Sequence, residues 1–168
     1  MHPSRRSVLR AGGLGLATGL AGCLGSLRPA GGTSSDLALE SLDVGGSPGG
    51  EVVVQPAGSP VVLDFFATWC APCKPQMDEL RAVRERFPDL PMRSITTESD
   101  HGAVRSFWRE YDGTWPVLLD PELAASSTYD PRGFPTAFVF DADGERVWTH
   151  TGLARSQDIV AAIERARS

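Results

Sequence analysis

Two cysteines held two residues apart, in Trp69-Cys70-Ala71-Pro72-Cys73, constrain this chain more than any other stretch. At that spacing the pair can close a small disulfide ring or stay open as a dithiol. The thiolate is the attacking species in disulfide exchange, so the chemistry turns on what lowers one thiol's pKa. An apolar run, Val61-Val62-Leu63-Asp64-Phe65-Phe66-Ala67, leads into the motif. Behind it Met77, Leu80, Val83 and Phe87 recur at helical spacing between Glu79, Arg81, Arg84 and Glu85. Strand, CxxC, helix is the local order. It places Cys70 at a helix N-terminus, where unpaired backbone N–H groups and the helix dipole favour a thiolate. Cys73 sits one turn further in and is more shielded. Cys70 is the expected attacking thiol and Cys73 the resolving one.

A bare CxxC also suits half of a zinc site or a structural disulfide. A structural zinc site usually needs four Cys or His ligands. This chain has 3 Cys, one of them Cys23 in a leader-like segment, and its 3 His are scattered at His2, His101 and His150. No metal site is expected, and both His101 and His150 read as surface residues. The segment Asp-Phe-Phe-Ala-Thr-Trp-Cys-Ala-Pro-Cys-Lys, residues 64–74, sharpens the reading: it resembles the active-site segment of the thioredoxin superfamily.

The start of the chain reads as processing signals rather than fold. Ser4-Arg5-Arg6-Ser7-Val8-Leu9-Arg10 precedes a mildly apolar, Gly-rich run from residue 11 to 21. That run is too short to span a bilayer as a helix. Paired arginines and modest hydrophobicity resemble a twin-arginine (Tat) signal. Leu20-Ala21-Gly22-Cys23 is similar to a lipoprotein box, in which the cysteine becomes the lipidated N-terminus. The expected organisation is a signal peptide over 1–22, a Gly/Ser/Pro-rich tether over 23–35 and one folded domain over 36–168. The formal net charge of −5 leaves no nucleic-acid footprint. Lys74 is the only lysine, which suits a halophile or merely a GC-rich genome.

Within the domain, Leu37, Leu39 and Leu42 alternate as in a short strand, residues 44–50 read as a loop, and 51–55 as a second strand. Met92 to Thr97 reads as a strand, and Ser99 or Asp100 can cap a helix carrying Val104, Phe107, Trp108 and Tyr111. A short strand near 116–119 and a helical turn over 121–129 follow. Thr136 to Phe140, the turn Asp141-Ala142-Asp143-Gly144 and the strand 145–151 make a hairpin. Ser156 is the expected cap of a last helix over 157–166, with Ile159, Val160 and Ile163 facing inward.

This order resembles thioredoxin: a three-layer α/β/α fold. An added N-terminal hairpin and a central insertion over about 98–119 are similar to the TlpA/ResA branch, exported and membrane-tethered thiol-disulfide oxidoreductases. The resemblance implies further roles. Pro135, in Gly133-Phe134-Pro135-Thr136, matches a proline that is cis in the family and lies against the CxxC. Phe134 would offer backbone groups to an extended substrate, with Trp69, Ala71 and Pro72 completing the docking surface. Asp64 matches the buried acid beneath the resolving cysteine in thioredoxins, whose pKa rises by desolvation and which takes a proton from Cys73. Many TlpA-like proteins carry a neutral residue there. A second departure is Asp78, where the family often has a helix-kinking proline; Pro75 comes earlier, in the first turn, which tolerates it.

The implied activity is disulfide exchange on the outer face of the cytoplasmic membrane, with no cofactor beyond the Cys70–Cys73 pair. Implied partners are a disulfide-containing protein such as an apocytochrome c, a membrane redox partner of CcdA/DsbD type, and the membrane through a lipid on Cys23. A monomer is expected. The competing class is a copper-handling module of the SCO type, but that family uses CxxxC and a distant histidine. A thiol peroxidase would need a P-x-x-x-T-x-x-C context, which is absent.

Overall fold

Val61–Phe65 forms β3, and all five residues are buried. A strand buried on both faces needs neighbours and cover on both sides, and the rest of the fold supplies them. The computed structural model describes residues 36–168. The expected signal peptide, the expected tether up to residue 35 and Cys23 therefore lie outside the described residues. In chain order the elements are β1 (Ala38–Val44), β2 (Ser47–Val53), β3, α1 (Cys73–Arg86), β4 (Met92–Thr96), α2 (His101–Glu110), β5 (Val117–Leu119), α3 (Ala124–Tyr129), β6 (Thr136–Phe140), β7 (Arg146–Thr151) and α4 (Ser156–Ala166).

The seven strands form one mixed sheet in the order β2-β1-β5-β4-β3-β6-β7. The parallel pairs are β3·β4 and β4·β5, and the remaining pairs are antiparallel. Period-two alternation sorts the core into two clusters. Val62, Phe66, Met92, Val117, Ala137 and Val139 pack with side chains of α1, α2 and α4. Val61, Leu63, Phe65, Ile95, Leu118, Phe138 and Phe140 pack with Ala125 and Tyr129 of α3. This is the α/β/α layering of a thioredoxin-like fold.

Four local details differ from the sequence reading. Residues 47–50 belong to a strand, because Gly45-Gly46 alone turns the first hairpin, pairing Val44 with Ser47. The tip lies so close to the next loop that a Cβ on Gly46 would stand 2.1 Å from the Thr114 carbonyl oxygen. The short strand expected near 116–119 forms as β5, but in a place that the sequence reading leaves open: it sits between β1 and β4 and ties the N-terminal hairpin to the parallel core. The helix foreseen over 121–129 covers only α3, whose N-terminal amides are held by Asp120: its carboxylate accepts from Ala125 N at 3.0 Å and Ser126 N at 2.8 Å. Ser156 is the first residue of α4 rather than its side-chain cap; the carboxylate of Glu79, from α1, accepts from Ser156 N at 2.7 Å instead.

Two predicted signals act as read. Asp100 caps α2 by accepting from Gly102 N and Ala103 N, and Asp141 organises the last turn by accepting from Asp143 N and Glu145 N. The β6–β7 pairing shifts register between Val139 and Phe140. One extra residue on β7 turns the strand's face over. Trp148 pairs with Val139 above one core, whereas Arg146 lies over the rings of Phe138 and Phe140 in the other, at 4.6 and 5.6 Å.

Candidate active site

β3 delivers the chain to Phe66 and Ala67, still buried, and then to a turn beyond the C-terminal end of that interior strand. Cys70 N donates to Ala67 O at 3.1 Å, Cys73 N to Cys70 O at 3.2 Å and Gln76 N to Pro72 O at 3.4 Å. These bonds wind the motif into α1. The helix proper starts at Cys73, with Pro72 as N-cap, so Cys70 lies in the turn just ahead of it. Pro75 falls in the first turn, where its missing N–H has no helical partner to lose. Asp78 stands on the exposed face and pairs with Arg81, which also reaches Asp112 at 2.9 Å.

Cys70 and Cys73 are joined as a disulfide with sulfurs 2.13 Å apart. Cys70 is 5% exposed and Cys73 1%. Ala71 and Pro72 between them are exposed. Trp69 is 73% exposed, an unusual position for the largest apolar side chain, and its ring meets Phe134 edge-on at 6.0 Å.

Sheet register brings the second motif here. Phe65 at the end of β3 pairs with Thr136 at the start of β6. The residues just before Thr136 therefore lie beside the exit of β3, where the CxxC turn begins. The Phe134–Pro135 bond is cis. Pro135 is buried, its carbonyl accepts from Gly152 N at 2.8 Å, and Thr136 Oγ1 donates to Gly133 O at 2.8 Å.

Asp64 is buried at the centre of β3, between Ser94 and Ala137 on the neighbouring strands. It shares the face of Val62 and Phe66, whose core cluster contains both cysteines. Burial drives its carboxyl up from an ordinary 3.8 to about 7, opposed by a hydrogen bond from Ser94. A carboxyl held there is half-ionised near neutral pH, as an acid–base group should be.

Residues with no local signal complete the site. Glu98, just past β4, accepts from Thr68 N and from Thr68 Oγ1, each at 2.7 Å, pinning the residue before Trp69. Its position beyond the end of a strand parallel to β3 is the one hint the sequence offers. Gln76, at the buried face of α1, accepts from Ala154 N at 2.7 Å and donates to Ala154 O at 3.3 Å, locking the helix to the segment before α4. Ser94 and Trp115 form a hydrogen-bonded pair behind Asp64. His101 opens α2, and His150 stacks on Trp148 of β7.

Residues 44–163 match the Redoxin family. The chain belongs to it. Within that family its relatives are of the thioredoxin-like, ResA kind. Thioredoxin-like protein YneN of Bacillus subtilis is 27% identical over 111 residues, 64% of this chain and 65% of that protein. Thiol-disulfide oxidoreductase ResA of Bacillus cereus is 32% identical over 92 residues, 54% of this chain and 53% of that protein. The redoxin chain thus spans somewhat under two thirds, and about half, of these two relatives. Among solved structures, StoA from Bacillus subtilis superposes with a TM-score of 0.64 at 19% identity, covering 75% of this chain and 94% of StoA. A secreted Mycobacterium tuberculosis disulfide oxidoreductase superposes with a TM-score of 0.67 at 21% identity, covering 79% and 97%. Both carry the redoxin's thioredoxin-like fold.

Proposed function

We infer that this protein is a thiol-disulfide oxidoreductase acting on disulfides of other proteins outside the cytoplasm. The observation that carries the reading is the Cys70–Cys73 disulfide, set in the turn ahead of α1 beside Trp69, Phe134 and Pro135. The ResA and YneN relatives support it. In the reduced protein the Cys70 thiolate attacks a client disulfide, forming a mixed disulfide and releasing one client thiolate. Cys73 then gives its proton to Asp64 and attacks the Cys70 sulfur. The Cys70–Cys73 bond forms, the second client thiolate leaves, and the client is reduced by two electrons. The exposed Trp69 with Phe134, Ala71 and Pro72 forms the docking surface. The redox-active disulfide is the only cofactor in this scheme.

The finer reading is that Cys23 is lipidated after Tat export and tethers a monomeric domain to the outer face of the cytoplasmic membrane. A CcdA/DsbD-type membrane partner re-reduces it, and an apocytochrome c is its client. The leader motifs Arg5-Arg6 and Leu20-Ala21-Gly22-Cys23 support the anchor. Fractionation of the wild type and Cys23→Ser tests it: equal release of both into the soluble fraction refutes the anchor.

A trapping experiment tests the activity. Cys73→Ser should hold clients on Cys70 as mixed disulfides, because no internal thiol displaces them. Cys70→Ser should trap little. Failure to trap any protein, with no reduction of insulin disulfides by the wild type, would overturn the reading. Copper binding by the reduced protein would then decide for the SCO-like alternative.

A further inference from the structure

The two carboxyl oxygens of Asp64 have unlike surroundings. Oδ2 accepts from Ser94 Oγ at 3.2 Å, while Oδ1 is buried without a partner. Ser94 is itself fully buried, and its Oγ accepts from Trp115 Nε1 at 2.9 Å. An indole N–H can only donate, and a hydroxyl carries a single hydrogen. Accepting from the indole leaves that hydrogen available for the other neighbour, the Asp64 carboxyl. Trp115 donates to Ser94, and the Ser94 hydrogen points at Asp64 Oδ2. While Ser94 donates to Oδ2, a proton on that oxygen would meet the Ser94 hydrogen, which leaves the unpartnered Oδ1 as the oxygen that can carry it.

We propose that Ser94, oriented by Trp115, is a positioning residue that directs the exchangeable proton of Asp64 to Oδ1. This rests on the reading of Asp64 as the proton acceptor for Cys73, and it assigns that exchange to one oxygen. Oδ2 is occupied by Ser94 in both protonation states and takes no part. The flanking strands present Ser94 and Ala137 to Asp64, neither of which titrates. The titratable groups buried at the CxxC turn and the start of α1 are Cys70 and Cys73. Desolvation and the Ser94 hydrogen bond account for the shift of the carboxyl, with no charged side chain contributing.

The test is a carbon-13 carboxyl titration of Asp64 in the full chain with the disulfide closed. Ser94→Ala deletes the donor that favours the ionised form, so the Asp64 midpoint should rise by about one pH unit or more. Ser94→Thr and Ser94→Val give a pair of equal shape should the alanine variant fold poorly. Threonine should restore the wild-type midpoint and valine should not. Trp115→Phe leaves the Ser94 hydroxyl free to turn and should raise the midpoint by a smaller amount. The pH profile of mixed-disulfide resolution should move in parallel. A midpoint unchanged in both Ser94→Ala and Ser94→Val overturns the proposal. A midpoint unchanged in Trp115→Phe alone overturns the orienting role of the indole. Failure of the underlying reading looks different: Asp64→Asn would then resolve mixed disulfides at the wild-type rate, while the carboxyl titration still reports on Ser94.

Discussion

Replacing Asp64 by asparagine should change how stability depends on pH, and the structure sets the size of the change. The folded-state carboxyl titrates near about 7 against an ordinary value of 3.8. Between these two values the folded chain holds a proton that the unfolded chain has released. The unfolded state then binds fewer protons, so stability falls as pH rises. The full contribution is present below the unfolded value and is gone once pH passes the folded one. About three units at about 1.4 kcal/mol each give roughly 4 kcal/mol. The asparagine variant has no such titration. Its amide leaves one N–H₂ group where Oδ1 was unpartnered, which costs about 1–3 kcal/mol at every pH alike. The quantity to measure is therefore the difference between the two proteins. Denaturant unfolding with the disulfide closed, at steps across the acid and neutral range, gives it. Other carboxylates titrate in both proteins and cancel. The stability of Asp64→Asn relative to wild type should rise by roughly 4 kcal/mol across this window. A difference constant to within about 1 kcal/mol would show that Asp64 is not protonated in the folded protein at neutral pH, and would refute the desolvation argument.

Glu98→Ala frees both bonds to Thr68, so the Thr68 amide should lose hydrogen-exchange protection by about 1.5–3 kcal/mol while the centre of β3 keeps its own; equal protection would remove Glu98 as the clamp of the CxxC turn. Gln76→Ala leaves the buried N–H and carbonyl of Ala154 without their partner and should cost about 1–3 kcal/mol in denaturant unfolding. Glu79 has its carboxyl held below its usual range chiefly by the backbone N–H of Ser156, so this contribution is present above the unfolded value of 4.5 and is lost as pH falls through the lower folded one. Glu79→Gln should remove that acid-side loss, seen as a flatter melting-temperature profile at low pH. Gly113→Ala would set a Cβ 2.2 Å from the buried Trp108 indole and should destabilise by about 1–3 kcal/mol or more, read from the melting temperature.

Much of this protein is written locally. The buried strands β3, β4 and β6, the caps Asp100 and Asp141, the CxxC and the Gly-Phe-Pro-Thr segment are short-range patterns. Backbone propensity, side-chain period and turn chemistry act over a few residues, so one sequence suffices to place them. The fold class followed from their order. Other features depended on which elements meet. β5 lies between β1 and β4 because strand neighbours are chosen by packing, and three residues of Val-Leu-Leu carry no label for their partners. Residues 47–50 are strand because Gly45-Gly46 completes the turn early, with the hairpin tip packed close against Gly113 and Thr114. α4 is started by Glu79, which lies 77 residues away in the chain. Asp64 is visible in sequence as an acid inside an apolar run. The oxygen it uses is decided by Ser94, 30 residues on, and by Trp115, 21 beyond that. A hydrogen bond between distant residues exists only after the sheet has set their register, and a serine on a buried strand looks the same in sequence with or without it.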